Sequence, residues 1–154
     1  MLIREAKPEE QNQVIALYEQ EPPEQFQLQQ KEIPPKFIEF QEHKRLILVA
    51  EESSKIIGSI QLKFFHTNPE LADGKTIAHT ESLIVEPTYR NKGIGKALMK
   101  EMEQRALSLG FSKITAGIKR GPSHQFLLDL YTKLSYSILR EKEDGTATIL
   151  YKEL

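Results

Sequence analysis

The strand–turn–helix segment from Val85 to Lys96 most constrains the fold of this chain. Its turn contains Gly93 and Gly95, which lack side chains where a ligand would approach the main chain. Several N–H groups can therefore converge on anionic oxygen atoms at the positive end of the following helix. Positive charge is added by Arg90, Lys92 and Lys96. The segment predicts a receptor for a phosphate-bearing ligand, and an ordinary loop with a flexible start is the alternative.

Two common nucleotide-binding motifs do not fit this segment. The dinucleotide-binding motif requires a glycine or an alanine where Leu98 stands. The phosphate loop of nucleotide hydrolases requires a glycine where Arg90 stands. Both interpretations are therefore excluded.

The spacing of Arg90, Gly93 and Gly95 after a strand ending at Val85 resembles the acyl-CoA pyrophosphate motif of the GCN5-related N-acetyltransferase family. The similarity continues over residues 95–99 and 129–136, so it covers the C-terminal half of the chain well and the N-terminal half in outline. The resemblance implies an acyl-CoA N-acyltransferase fold with acetyl-CoA as co-substrate. It also implies direct transfer of an acetyl group to a primary amine of a small molecule or peptide, in a ternary complex, without a metal ion or a covalent enzyme intermediate.

The same resemblance implies roles for three candidate catalytic residues. Glu81 and His79 occupy positions where relatives carry a general base that acts directly or through water. Both are expected on one face of their strand, together with Leu83 and Val85, because strand side chains alternate. Tyr131 stands where the family carries the tyrosine that reaches the thioester sulfur. The alternatives are solvated surface groups for Glu81 and His79 and a packed helix residue for Tyr131.

The cofactor-binding residues that the resemblance implies are Leu83, Ile84, Val85, Arg90, Asn91, Lys92, Gly93, Ile94, Gly95, Lys96, His124 and Tyr131. The chain departs from the family pattern at three positions. His124 replaces an asparagine, Leu127 replaces a small residue, and Ser135 replaces a glycine. These departures leave open a noncatalytic acyl-CoA-binding regulatory module as the alternative function.

Composition excludes several other classes of protein. The 154 residues predict a single domain over residues 1–154. A net charge of −1 argues against nucleic acid as a partner, and the lack of cysteine excludes a thiol nucleophile. The longest apolar run, from Leu46 to Ala50, is too short to span a membrane. The N-terminus lacks a secretory hydrophobic region, so the expected location is the cytoplasm.

Apolar periodicity and turn residues predict the order of elements. The expected strands are Leu2–Lys7, Leu46–Glu51, Lys55–Phe65, Thr76–Val85, Lys113–Ile118, Tyr136–Arg140 and Thr146–Tyr151. The expected helices are one opened by Pro8, a short one near Phe37–Gln41, one over Ile94–Leu109, and one from Ser123 to about Leu134. Prolines punctuate Glu19–Lys36, which is expected to be a loop with at most one helical turn. This order predicts an α/β or α+β domain with one mixed, largely antiparallel sheet flanked by helices.

The amine acceptor and the oligomeric state are less constrained. The acceptor pocket is expected to be lined by Glu19–Lys36, Phe65–Lys75 and the final hairpin. These loops are acidic, which suggests a cationic acceptor, although a solvated surface explains the same charges. Their carboxylates are Glu21, Glu24, Glu32, Glu70 and Asp73. The last strand, Thr146–Tyr151, could pair with that of a second copy and form a homodimer.

Overall fold

The computed structural model describes all residues from Met1 to Leu154. Its strands are β1 (Leu2–Glu5), β2 (Arg45–Glu52), β3 (Lys55–Lys63), β4 (Ile77–Val85), β5 (Lys113–Lys119), β6 (Ser137–Glu141) and β7 (Ala147–Glu153). Its helices are α1 (Gln11–Ala16), α2 (Pro23–Gln41), α3 (Ile94–Ser108) and α4 (His124–Lys133). Short 3-10 turns cover Pro8–Glu10 and Pro87–Tyr89.

The seven strands form one sheet in the order β1-β2-β3-β4-β5-β7-β6. β4 and β5 pair in parallel, whereas β1 with β2, β5 with β7 and β6 with β7 pair antiparallel. A two-residue turn joins β2 to its neighbour β3, as a hairpin requires. The predicted mixed, largely antiparallel sheet with flanking helices is therefore confirmed.

The chain divides into two compact units, each built from two stretches of sequence. The first unit comprises Met1–Leu62 and Ser82–Met102, and the second comprises Lys63–Glu81 and Glu103–Leu154. The single domain over residues 1–154 stays a prediction. None of the helices combines the length and the apolar character that crossing a membrane requires.

The core of the first unit contradicts the predicted loop over Glu19–Lys36. Residues 23–41 instead form α2, with Pro23 at its first position, where the missing N–H costs nothing. Ile33 and Phe37 are buried on one face of α2, and Phe26 packs against the same apolar cluster. Burial of this face stabilises the helix although its sequence is rich in glutamine and proline.

Pro34 and Pro35 lie inside α2, although proline in a helix interior predicts that the helix ends or breaks there. Each proline removes one helical hydrogen bond, so the carbonyl groups of Gln30 and Lys31 lose their donors. Both of these residues are exposed, and water can therefore hydrogen-bond to their carbonyl oxygens. The two missing bonds fall on the solvent side and leave the packed side intact.

Helix α3 confirms the predicted stripe of apolar residues. Its members Ile94, Leu98, Met102 and Ala106 are all buried. Gly110 follows α3 with a φ of 97°, a conformation that glycine adopts without strain at a helix end.

In the second unit, β7 lies between two neighbours and is not an edge strand. It pairs with β5 along one side, from Ala147 to Glu153, and with β6 along the other. A dimer formed by pairing of this strand is therefore wrong, because its hydrogen-bonding groups are used within the chain. A homodimer of another kind stays a prediction.

Candidate functional site

The end of β4, from Ser82 to Val85, extends beyond its register with β5. Parallel pairing covers only Ile77–Thr80 and Lys113–Ala116, although β4 continues to Val85. Ser82 has a φ of 59°, which is unusual inside a strand. The predicted shared face of His79, Glu81, Leu83 and Val85 assumed unbroken alternation, and Ser82 breaks that alternation.

Beyond Ser82, main-chain groups alternate between the two sides of β4. The Glu86 N–H donates to the Ile57 carbonyl on β3 at 2.8 Å. The Ile84 carbonyl also faces β3, since its oxygen would lie 3.2 Å from a Cβ added to Gly58. The main-chain groups of Leu83 and Val85 consequently point away from β3. The main-chain groups of Leu83 and Val85 can therefore pair with an extended ligand that lies beside β4 as an added strand would. The Ile84 carbonyl cannot, because it faces β3.

The turn after β4 presents unpaired amides. Asn91 has a φ of 63° and Gly93 a φ of 81°. The first helical bond of α3 runs from the Ala97 N–H to the Gly93 carbonyl at 3.0 Å. The N–H groups of residues 91–96 donate to no main-chain carbonyl. Such a run of free donors at the positive end of a 15-residue helix favours binding of an anion.

Space around these amides is open. A Cβ added to Gly93 would have no atom within 4 Å, and one added to Gly95 would meet only Leu83 at 3.8 Å. Neither glycine is therefore required by close packing inside the protein. The chain leaves room for another molecule to approach the main chain here.

Arg90 is held by the protein itself. Its Nε donates to the Val85 carbonyl at 2.8 Å, and its Nη2 lies 2.9 Å from Oε1 of Glu21. The guanidinium thus fastens the turn to the end of β4. Lys92 contacts the ring of Tyr89 at 5.4 Å from the centroid and is exposed, as is Lys96.

His79 is buried in the second unit and has a defined tautomer. Its Nδ1 lies 2.8 Å from the Thr115 hydroxyl oxygen, and that hydroxyl donates its single proton to the Leu71 carbonyl at 2.6 Å. The Thr115 oxygen can therefore only accept from His79, so Nδ1 carries the proton. In the neutral ring, the basic lone pair then lies on Nε2.

His66, which sequence reasoning missed, lies beside His79. The two rings meet edge to face with centroids 5.8 Å apart. Burial and the nearby Lys63 lower the pKa of His66, while the charge of Glu81 acts in the opposite direction. No motif could have found His66, because the bridge between Phe65 and Asp73 positions it.

Tyr131 lies on α4 and is 5% exposed. Burial raises the pKa of its phenol well above the ordinary value. Its ring meets that of Tyr136 edge to face at 5.1 Å, and the Tyr136 hydroxyl donates to Glu103 at 3.1 Å. The Tyr131 hydroxyl makes no hydrogen bond of this kind, and its role stays a prediction.

His124 begins α4 and is fixed by a polar chain. Its Nε2 lies 2.8 Å from the Thr148 hydroxyl oxygen, and that hydroxyl donates to Glu141 at 2.9 Å. Thr148 therefore accepts from His124, whose Nε2 carries the proton. Arg120 lowers the pKa of Glu141, with help from Thr148. His124 is thus attached to β7 through Nε2, and only Nδ1 remains for the predicted contact with a cofactor.

Ser135 is one of the three departures from the family pattern, and it stands where a glycine is expected. Its φ is 71°, in the left-handed region that glycine enters more readily. A glycine at this position would therefore suit the same turn. Serine adopts this left-handed conformation in the structure, so the turn forms without a glycine.

Three of the five predicted acceptor-loop carboxylates have partners in the protein. Glu21 pairs with Arg90 and Glu70 pairs with Arg140, both at 2.9 Å. The N–H groups of Ile77 and Lys75 and the Thr76 hydroxyl hold the pKa of Asp73 far below its usual value. These three charges therefore serve the fold and do not indicate a cationic acceptor.

The predicted site residues fall into both units. Residues 83–85 and 90–96 belong to the first unit, and His79, Glu81, His124 and Tyr131 belong to the second. A cleft of about 140 Å³ in the first unit is lined in part by Leu17, Lys55 and Glu86 and contains no predicted site residue. No group of three or more His, Cys, Asp or Glu side chains is arranged to hold a metal ion. The absence of a metal from the reaction stays a prediction.

Known proteins share both the sequence pattern and the fold. Residues 11–136 match the Acetyltransferase (GNAT) family. Glucosamine 6-phosphate N-acetyltransferase of Trypanosoma brucei brucei is 29% identical over 87 residues, which are 56% of this chain and 54% of that protein. The chain thus matches about half the length of this curated relative.

Two solved structures illustrate the similarity of fold. Aminoglycoside 6′-acetyltransferase type Ii superposes with a TM-score of 0.79 at 22% identity, over 99% of this chain and 97% of that one. The PaiA N-acetyltransferase of Thermoplasma acidophilum, solved with coenzyme A, gives a TM-score of 0.74 at 22% identity, over 99% and 98%. Because the family match extends over most of the sequence, the chain belongs to the GNAT acetyltransferase family.

Proposed function

We propose that this protein transfers an acetyl group from acetyl-CoA directly to a primary amine of a small molecule or peptide. The observation that carries the proposal is the run of unpaired N–H groups over residues 91–96 at the start of α3. A diphosphate would receive several charge-assisted hydrogen bonds there, each worth about 1.5–3 kcal/mol. Lys92 and Lys96 would add attraction that weakens with salt.

The pantetheine arm would then extend along the end of β4. The main-chain groups of Leu83 and Val85 point away from β3, so a chain bearing amides can pair with them as an added strand does. The Val85 carbonyl in this stretch already accepts a hydrogen bond from Nε of Arg90. This arrangement orients the thioester by main-chain contacts that do not depend on side-chain identity.

The attacking amine must lose a proton before it reacts. An amine with a pKa near 10.4 requires about 4.6 kcal/mol to deprotonate at pH 7. Nε2 of His79 is the basic atom of the neutral ring, and Glu81 is the second candidate, each acting directly or through water.

Tyr131 would stabilise the departing thiolate of CoA. A phenol with a pKa near 10 is a weaker acid than a thiol near 8.5, so full proton donation is uphill by about 2 kcal/mol. Burial raises the pKa of Tyr131 further, which favours the neutral phenol as a hydrogen-bond donor. The proton on the product thiol would then come from the amine. Holding both reactants together contributes much of the acceleration.

A thiol assay tests the proposal directly. The chain contains no cysteine, so free CoA is the only thiol that appears when the purified protein is mixed with acetyl-CoA and an amine. The amine panel includes an aminoglycoside, a hexosamine phosphate, a polyamine and a peptide with a free N-terminus. Amine-dependent release of CoA is the expected result.

Two other outcomes have distinct meanings. Binding of acetyl-CoA in calorimetry with no release above background for any amine would favour the noncatalytic regulatory module. No heat of binding for CoA or acetyl-CoA would reject both functions.

A further inference from the structure

Three polar side chains form a hydrogen-bonded network inside the second unit. The hydroxyl of Tyr136, a residue that is 4% exposed, donates to Oε1 of Glu103 on α3 at 3.1 Å. The other carboxylate oxygen, Oε2, accepts from Nζ of Lys152 on β7 at 2.8 Å. Burial and the charge of Glu103 raise the pKa of Tyr136, so its phenol stays a neutral donor. The network therefore ties the segment after α4 to both α3 and β7.

Packing alone does not explain the hydroxyl of Tyr136. A phenylalanine would fill the same space and would need neither a carboxylate nor its counter-ion inside the protein. The side chains of Glu103 and Lys152 are only 13% and 24% exposed, and withdrawing both charges from water costs free energy. A polar network in which every member has a partner fixes one arrangement of side chains. The hydroxyl thus holds the ring of Tyr136 in one position.

The ring of Tyr131 packs directly on this anchored ring. The two rings meet edge to face, with centroids 5.1 Å apart and planes at 86°. The Tyr136 N–H also donates to the Tyr131 carbonyl at 3.0 Å, so the two residues are joined through main chain and side chain. An aromatic pair of this kind contributes about 0.5–1.5 kcal/mol and has a preferred geometry. The position of the Tyr136 ring therefore constrains the orientation of the Tyr131 ring.

We propose that Tyr136 and Glu103 are positioning residues that hold the ring of Tyr131 where its hydroxyl can donate to the thioester sulfur. Glu103 anchors the Tyr136 hydroxyl, and Lys152 neutralises the charge of Glu103. The inference rests on the proposed function, because it takes Tyr131 as the hydrogen-bond donor to the departing thiolate. Tyr136 and Glu103 contact neither substrate in this assignment, and they act only through Tyr131.

A double-mutant cycle of Tyr136→Phe and Tyr131→Phe tests whether Tyr136 acts through Tyr131. Tyr136→Phe keeps the ring and removes only the anchored hydroxyl. Ser59→Ala is the matched control, because the buried Ser59 hydroxyl donates to the Leu48 carbonyl at 2.9 Å and belongs to the first unit. The values of kcat and of KM for acetyl-CoA are measured with an amine that the wild type acetylates. Thermal unfolding of the ligand-free proteins is measured in parallel.

The expected result separates orientation from stability. Tyr136→Phe lowers kcat about tenfold and leaves KM for acetyl-CoA unchanged, because a displaced donor weakens the transition state more than the bound substrate. In the Tyr131→Phe background the same change lowers kcat by less than about twofold, since no phenol remains to be oriented. The melting temperature falls by a similar amount in both backgrounds. Ser59→Ala lowers the melting temperature and leaves kcat unchanged.

Two changes at Glu103 add an independent test. Glu103→Gln keeps an oxygen acceptor for the Tyr136 hydroxyl and removes the ion pair with Lys152. It should lower the melting temperature and keep kcat within about threefold of the wild-type value. Glu103→Leu removes the acceptor as well, and it should lower kcat as much as Tyr136→Phe does.

Four results would overturn the assignment. An unchanged kcat in Tyr136→Phe would make the network purely structural. An equal loss of kcat in both backgrounds would show that Tyr136 affects turnover without Tyr131. A loss of kcat in Glu103→Gln as large as in Glu103→Leu would assign the effect to the charge of Glu103. Normal turnover by Tyr131→Phe would reject the role of Tyr131 while acetyl transfer stands, whereas no release of CoA by the wild type with any amine would reject the proposed function itself.

Discussion

Replacing Gly95 with alanine should raise stability and weaken binding of CoA at the same time. Gly95 is the second residue of α3, and an added Cβ meets only Leu83 at 3.8 Å, an ordinary contact. Glycine in a helix is less favourable than alanine by about 0.5–1 kcal/mol, with the smaller value expected in the first turn. A gain of about 0.5 kcal/mol corresponds to a melting temperature about 1–2 °C higher for a chain of this length.

The effect on binding has the opposite sign. The methyl group occupies the open space through which a phosphate oxygen would reach the N–H groups at the start of α3. Loss of one charge-assisted hydrogen bond weakens binding by about 1.5–3 kcal/mol, or about 10- to 150-fold in Kd. Calorimetry with CoA measures the affinity, and thermal unfolding of the ligand-free protein measures the stability.

Gly93 and Gly110 provide matched controls for backbone strain. Both have positive φ values, of 81° and 97°, and an added Cβ has no neighbour within 4 Å at either position. Alanine at either position should lower the free energy of unfolding by about 1 kcal/mol, because a side chain is disfavoured at positive φ. Only the change at Gly93 should also weaken CoA binding. Wild-type affinity in Gly95→Ala would refute contact between the diphosphate and these amides.

Further predictions concern the proposed catalytic groups and the acid stability of the fold. Tyr131→Phe should lower kcat about 100-fold with little change in KM for acetyl-CoA, and normal turnover would remove its role. Thr115→Val should remove the hydrogen bond that keeps the proton on Nδ1 of His79, and the pH profile of kcat/KM should change as a result. Thr115→Ser should preserve both the tautomer and the pH profile. Nitrogen NMR of the imidazole ring measures which nitrogen carries the proton. Arg4 binds Glu10 through two hydrogen bonds of 2.7 and 2.8 Å and lowers the pKa of Glu10 below 4.5. The contribution of this ion pair to the free energy of unfolding is present above pH 4.5 and is lost as pH falls through the lowered pKa of Glu10. Glu10→Gln should therefore reduce the free energy of unfolding at pH 7 by about 2 kcal/mol and flatten its acid dependence, and chemical unfolding at several pH values measures both.

Local sequence signals predicted the elements that carry their own pattern. The stripe from Ile94 to Ala106 repeats every fourth residue, and all its members are buried in α3. Gly93 and Gly95 indicated the turn that connects a strand to the following helix. Such features depend on neighbours in sequence, so they are visible without the fold.

Helix α2 was missed because its stability is not local. Pro34 and Pro35 oppose a helix by themselves, and the glutamines around Gln29 show no apolar period. Only the cluster that buries Ile33 and Phe37 outweighs this local cost. The sequence contained the residues but not the surface against which they pack.

The sequence by itself determined the order of the strands, helix α3, the family and the glycine turn, since these arise from short-range patterns of size, charge and backbone freedom. Only the tertiary structure decided that Thr115 holds the tautomer of His79, that Ser82 interrupts β4, and that Glu103 anchors the hydroxyl of Tyr136 beside Tyr131. Each of these depends on groups that are distant in sequence or on the sheet as a whole. Hydrogen bonding and burial act through space, and the chain order does not reveal which groups the fold brings together.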